Sequence, residues 1–267
     1  MSEDQHIPYQ ASSLPVPGAV GVLVLAPHPD DEVFGCGGCA ALYALSGVPV
    51  QALILTDGGL HGVPPAGVAV VAARQEEARA AAKVLGCQPP IFGHYADRSL
   101  STAGGALVNL IVRQMKECGA DVLLAPSVWE IHPDHRAAAL AAIEAIQQLG
   151  AGHTLVQYEV GAPLLPNVLL DITPVWQRKQ QAMACFGSQL ALQAYDRHIS
   201  ALNVFRTYTL PAAVQAAEGL RVATQQQAKE DPFGLVFQGN PHPVREQFLP
   251  PDGWLARLFR PHRQKLV

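Results

Sequence analysis

Continuous apolar runs alternate along this chain with Ala- and Leu-rich stretches, separated by breaks at Gly, Pro and Asp. The run Val20-Gly21-Val22-Leu23-Val24-Leu25-Ala26 has no polar position, the pattern of a strand buried on both faces. Gly35 to Cys39 then leads into an Ala/Leu-rich helix ending near Ser46-Gly47. Pro49 to Leu55 reads as a second strand, closed by Thr56-Asp57-Gly58-Gly59. A Pro/Gly loop from Gly62 to Gly67 precedes a helix over Arg74 to Leu85, which stops at Gly86. Pro90 to His94 is a short strand, Leu107 to Glu117 a helix with Gly119 beyond its end, and Asp121 to Pro126 another buried strand. His135 to Leu149 is Ala-rich and helical, ended by Gly150. His153 to Val160 and Val168 to Ile172 complete the expected strands, and Pro174 to Leu192 the expected helices.

Repeated strand–helix alternation predicts an α/β fold: Rossmann-like, a mostly parallel sheet with helices on both faces, in a single domain. Residues 1–17, punctuated by Pro8, Pro15 and Pro17, read as a flexible leader. The domain spans 18–229, and 230–267, rich in Pro, Gly and aromatics, reads as an extension packed on it. Of the 267 residues, 49% are hydrophobic and 15% charged, enough apolar material for a core and too little charge for wholesale disorder. Net charge is −4 with no Lys/Arg block, which argues against nucleic acid as a partner. The locally basic end, Arg257 to Lys265, reads as a solvated tail. The N-terminus lacks a basic start and an apolar stretch, and Ala19 to Ala26 is too short to span a bilayer; a cytoplasmic location is the default expectation. Five cysteines do not read as a disulfide framework.

Two polar motifs interrupt this pattern, each just beyond a buried strand. His28-Pro29-Asp30-Asp31-Glu32 follows the first, and His132-Pro133-Asp134-His135 follows the strand ending at Pro126. Ligands of open α/β sheets bind beyond the carboxyl ends of strands. An imidazole and three carboxylates there are costly as filling, because unpaired buried charge is expensive. Zinc accepts His nitrogen and carboxylate oxygen, and a catalytic site uses three protein ligands with one position left open. The first motif can supply two ligands, and the second is the best source of a third. Pro133 disfavours helix at His132, so the two imidazoles of the second motif can take different roles, one on the metal and one on the substrate.

The pair of motifs resembles the LmbE-like family, the GlcNAc-phosphatidylinositol de-N-acetylase (PIG-L) group of zinc-dependent deacetylases. The similarity includes Thr56-Asp57-Gly58, Arg74 to Glu77, Asp97 before Leu100, Tyr158-Glu159, Asp171-Ile172-Thr173, and Lys179 with Ser188-Gln189, in consistent order over residues 20–220. It implies removal of an acetyl group from an N-acetylated amino sugar, a small-molecule substrate. It implies Zn2+ held by His28, Asp31 and His135, with Asp30 as general base. His132 would stabilise the tetrahedral intermediate and protonate the leaving amine, Asp134 would orient an imidazole, and Glu32 would help hold the loop. Arg74 and Asp97 would meet substrate hydroxyls or charge.

Plainer readings compete at several positions. Asp57 fits a turn with Gly58-Gly59. Arg74 can pair with Glu77 three residues on. His28 and His135 could be structural histidines at strand ends, a reading that the joint pattern disfavours. Cys36-Gly37-Gly38-Cys39 has the spacing of a redox pair, but close packing of a helix start explains it better. Tyr195 and His198 carry no assigned role. Other functions remain in view: a diacetyl or nucleotide-linked sugar as substrate, or a non-catalytic binding protein with a retained metal site. A dinucleotide-binding enzyme lacks support, because no Gly-x-Gly-x-x-Gly follows the first strand. The pattern leaves the aglycone and the oligomeric state open (homo-oligomers are common for such chains), and iron fits the same ligands as zinc.

Overall fold

The apolar run at Val22–Ala26 becomes a central strand, β2, buried at every residue and flanked by parallel partners on both sides. The structure, a computed structural model, describes residues 11–59 and 68–230. The other strands are β1 (Ala11–Ser12), β3 (Val50–Thr56), β4 (Ile91–Tyr95), β5 (Val122–Pro126), β6 (Thr154–Tyr158), β7 (Val168–Asp171) and β8 (Ala217–Thr224). Their order in the sheet is β1-β7-β8-β6-β5-β2-β3-β4. All pairings are parallel except those of β8, which runs antiparallel to β6 and β7.

From β2 the chain steps outward through β3 to β4, then crosses back to β5 and continues to β6 on the other side. Because such crossovers are right-handed, the reversal sends helices to opposite faces. One group is α2 (Gly37–Leu45), α3 (Val68–Leu85) and α6 (Trp176–Met183), which pack on one another. The second is α4 (Gly105–Glu117), α5 (Pro133–Gln148) and α9 (Gln225–Glu230), with α5 touching both others. Short helices α1 (Asp31–Phe34) and α7 (Gly187–Leu190) and the longer α8 (Tyr195–Phe205) complete the chain. Among the described residues no helix is long and apolar enough to cross a membrane.

Several elements depart from the sequence reading. Residues 11–17 are not loose: Ala11–Ser12 pairs with β7, and the Val16 amide donates to the Tyr43 hydroxyl at 3.0 Å. The helix expected from Arg74 starts at Val68. The single helix expected over 174–192 is a 3-10 turn, α6 and α7. The break at 184–186 lets Phe186 drop into the core against Phe34, ring centroids 5.6 Å apart. The sequence pattern does not predict the β8 strand and helix α9. The first ten residues, the Gly62–Gly67 loop and the extension from 231 lie outside the described residues.

Gly35 shows how tightly the first motif is seated. A Cβ there would lie 2.3 Å from Tyr158 Cδ2 and 2.9 Å from the Asp31 carbonyl oxygen. Tyr158 has no room to yield, because it is fully buried and its hydroxyl donates to the Leu25 carbonyl at 2.8 Å. Gly35→Ala is therefore expected to destabilise the fold by about 1–3 kcal/mol through overpacking. A thermal or denaturant melt of the variant reads this directly; an unchanged midpoint would contradict the packing described.

Candidate metal centre and its cleft

The two motifs meet because β2 and β5 are neighbours at the point where strand order reverses, the place where open α/β sheets form their crevice. His28 follows β2 by one proline, and Asp31 opens α1. Between them Asp30 has φ 130° and ψ −31°, a backbone conformation that costs a non-glycine residue on the order of 1–3 kcal/mol. The Asp30 amide donates to Glu32 Oε2 at 3.0 Å, which helps hold that geometry. On the second motif, His132 is extended (φ −80°, ψ 136°) and caps α5, its Nδ1 accepting the Asp134 amide at 3.2 Å. Pro133 then occupies the first helical turn, where its missing N–H costs nothing. One helical turn from the cap, His135 reaches back toward His28.

Three donor atoms converge there. His28 Nδ1 lies 3.2 Å from Asp31 Oδ2 and 3.2 Å from His135 Nε2, and His135 Nε2 lies 3.1 Å from Asp31 Oδ2. Donors of a tetrahedral zinc site with bonds of about 2.0–2.2 Å stand roughly 3.3–3.6 Å apart, so the triangle fits such an ion with a shift of a few tenths of an ångström. The far side of each ring faces carboxylate. His28 Nε2 is 3.2 Å from Asp97 Oδ1 and 3.4 Å from Asp134 Oδ2. His135 Nδ1 faces Glu130 Oε2 at 3.3 Å, an ion-pair contact without the alignment of a good hydrogen bond. Imidazoles backed by carboxylates are what metal sites use to fix ring orientation and raise ligand basicity. His132 brings a ring nitrogen within 4.8 Å of donors on His28 and His135. Its Nδ1 is already engaged by the helix cap, so the tighter triangle with Asp31 is the better cation site.

The electrostatics follow from burial and pairing. Burial opposes charge on His28, but contacts with Asp134, Asp31 and Asp97 override it and raise its pKa well above the usual value. Burial likewise opposes charge on His135, and Asp31 and Glu130 outweigh it, lifting the ring to about 9. Asp31 is pulled well below the carboxylate range: burial favours its neutral form, but the His135 and His28 imidazoles dominate. Asp30 goes the other way. Burial pushes it up to about 7, partly offset by Arg74. Glu32, also buried, is pushed up to about 8, and its Oε1 has no hydrogen-bond partner among the described residues. His132 is lowered, first by burial and then by the two neighbouring imidazoles.

The other residues singled out in the sequence take the following places. Arg74 does not pair with Glu77, which instead accepts from the Ser188 amide and hydroxyl. Arg74 is 2% exposed and holds Asp30 Oδ2 at 3.1 Å, the Pro29 carbonyl at 2.6 Å and the Gly58 carbonyl at 2.7 Å. Asp97 lines the cleft and its Oδ1 meets His28 Nε2, and Asp134 Oδ2 faces the same ring nitrogen. Asp134 also accepts the Arg98 and Leu100 amides at 2.6 and 3.1 Å. Asp57 makes its turn, accepting the Gly59 amide at 2.9 Å, and holds the Asp97 amide at 3.2 Å. Cys36 and Cys39 are buried free thiols whose pKa values burial raises, which suits packing and not redox chemistry. The sequence reading missed Glu130. The only available signal was an acid two residues before His132; its burial and its hydrogen bonds to the Val160 and Gly161 amides are tertiary facts.

The donors lie at one end of a cleft of about 560 Å³, lined also by Phe34, Arg98, Ile131, Val160 and Tyr195. The chain is 28% identical over 221 residues to the diacetylchitobiose deacetylase of Thermococcus kodakarensis, covering 75% of this chain and 82% of that protein. It is 29% identical over 203 residues to the 4-oxalmesaconate hydratase of Pseudomonas putida, covering 67% and 77%. The solved N,N'-diacetylchitobiose deacetylase of Pyrococcus horikoshii superposes with a TM-score of 0.68 at 26% identity, covering 79% of this chain and 86% of that one. The model of the PIG-L family, GlcNAc-PI de-N-acetylase, matches residues 23–146. That span holds both motifs, and over it the chain is similar to the PIG-L family of deacetylases.

Proposed function

We propose that this chain is a zinc-dependent hydrolase that removes the acetyl group from an N-acetylated amino sugar. The observation that carries the reading is the triangle of His28 Nδ1, Asp31 Oδ2 and His135 Nε2, with carboxylates behind both rings. These three residues would hold the ion. When bound, it would supply Lewis acidity, polarising the amide carbonyl and acidifying water. Asp30, with a pKa near 7 and its carboxylate held by Arg74, is matched to take a proton from the attacking water at neutral pH. His132 accepts at Nδ1, so its neutral ring carries the proton on Nε2, a donor for the oxygen that becomes negative. Water forms the new C–O bond, the C–N bond breaks, and the amine leaves with a proton relayed through Asp30 and His132. Asp97, Asp134 and Glu130 act as positioning residues for the two imidazoles.

An amine-release screen over N-acetylated sugars, with metal stripped and then restored, tests the reading. Equal release of free amine and acetate, lost on chelation and restored by zinc, is the expected result. No release with any N-acetyl sugar by metal-loaded protein would sink it. The screen also separates hydrolysis from water addition to a double bond, the reaction named for the hydratase relative.

Metal loading carries its own signature. With the His135 ring lifted to about 9, that ring is protonated at neutral pH in the metal-free protein, and an incoming cation must displace its proton. Loading at pH 7 is expected to release protons, and affinity to rise as pH climbs toward 9. Calorimetry in buffers of different ionisation heats measures the release; a heat independent of buffer would contradict it.

A further inference from the structure

We propose that the cleft carries an apolar subsite, formed by Ile131, Tyr195 and Phe34, for an aromatic or alkyl substituent on the amino sugar next to the reacting nitrogen. This deepens the deacetylase reading and rests on it. The cleft extends from the metal donors to these three side chains, and its volume of about 560 Å³ suits a ligand larger than a single sugar ring.

Ile131 is the telling residue. It immediately precedes His132 and is 73% exposed at the cleft. Its backbone is fixed: Arg136 Nη1 donates to the Ile131 carbonyl at 2.6 Å and to the Glu130 carbonyl at 2.9 Å. Its side chain stands over Gly161, where a Cβ would meet Ile131 Cγ1 at 3.3 Å. An apolar side chain exposed to water next to the reacting centre gains free energy when an apolar group of the substrate covers it. Tyr195, 41% exposed, presents a second apolar surface, with Phe34 at 6.1 Å behind it and Phe186 supporting Phe34 in turn. Most of the charged lining groups are engaged with one another: His28 and His135 with Asp31, His28 with Asp97, His135 with Glu130, and Arg74 with Asp30. Arg98 is the exposed cation among the described lining residues, and it supplies the competing expectation of an anionic substituent.

The test compares N-acetylglucosamine, its phenyl glycoside and a glycoside bearing a carboxylate. The phenyl glycoside is expected to have a kcat/KM at least about tenfold above the free sugar, the gain typical of filling an apolar subsite. Ile131→Asp, and separately Tyr195→Ala, should bring that ratio toward one. Equal values for the three substrates, a preference for the carboxylate glycoside, or a ratio untouched by Ile131→Asp would overturn the proposal. The same subsite is read without turnover, by calorimetry of phenyl glucosaminide and of glucosamine on the Asp30→Asn protein. If no N-acetyl sugar is hydrolysed, the deacetylase reading fails while this measurement still decides the subsite. Tenfold tighter binding of the phenyl compound, lost in Ile131→Asp, supports it; no tighter binding overturns it.

Discussion

Asp30→Asn is expected to retain its metal and to lose turnover by about 10²–10⁴-fold, the usual contribution of a general base. The neighbouring Asp31→Ala should fail differently, losing metal and activity together, because Asp31 Oδ2 is one corner of the donor triangle. His132→Ala should keep its metal and lose turnover, since the His132 ring is engaged by the α5 cap. The pH profile gives a second readout. Activity that needs ionised Asp30 rises with pH through its pKa; burial sets that near 7. A cation beside Asp30 favours the ionised form, so the acid limb of the loaded enzyme should lie at or below 7. That limb should vanish in Asp30→Asn. The decisive measurement is bound metal alongside kcat for the three variants. A metal-free Asp30→Asn beside a metal-loaded Asp31→Ala would reverse the roles assigned within the first motif.

Lys179→Met is expected to cause the largest loss of stability, about 3–5 kcal/mol, the cost of breaking a buried ion pair by removing one partner. Lys179 Nζ donates to Glu218 Oε1 at 2.7 Å and to Asn203 Oδ1 at 2.9 Å, and both charged residues are sealed from solvent. The Glu218 carboxylate also accepts the Gly38 and Cys39 amides at 2.7 and 2.8 Å, so it fastens the start of α2 to β8 and α6. With Lys179 gone, Glu218 is an uncompensated buried charge. Lys179→Met combined with Glu218→Gln removes that charge and keeps an acceptor for one of the two amides, so it should recover part of the loss. Denaturant melts of the single and double variants measure the difference. A double variant no more stable than the single one would mean that the pair acts through packing and not charge.

The legible part of this protein was where chemistry interrupts a pattern. His28 and His132 stand out because each follows a strand with no polar position, and strand ends in such sheets are where ligands gather. The donor triangle unites the three residues expected to hold the metal. What stayed hidden depends on partners far along the chain. Arg74 lies in a helix with an acid three residues on, so its neighbours suggest a surface pair; the actual partner, Asp30, is 44 residues away. Asp97 lines the cleft, and its contact with His28, far along the chain, is set by the fold. The β8 strand carries Glu218 and Gly219, poor strand residues by propensity, and is stable because Lys179 and two amides satisfy the carboxylate. Glu130 is buried with its carboxylate against the nearby His135 ring and the distant Val160 and Gly161 amides, and those amide partners are set by the fold alone.

The neighbouring placement of β2 and β5 has a consequence for how the site comes into being. His28 and His135 are 107 residues apart in sequence, and the strands that present them are hydrogen-bonded to each other. No fragment of the chain short of that pairing can assemble the triangle, and a chain emerging from synthesis exposes the first motif long before the second exists. Such non-local pairing pays its loop-closure entropy late and is intrinsically slow. In that interval His28 and Asp31 would be, on the proposed reading, an open two-donor half-site. On the same reading, commitment to one ion would come with the docking of β5 and the helix that carries His135, and metal selection would be a late event in folding.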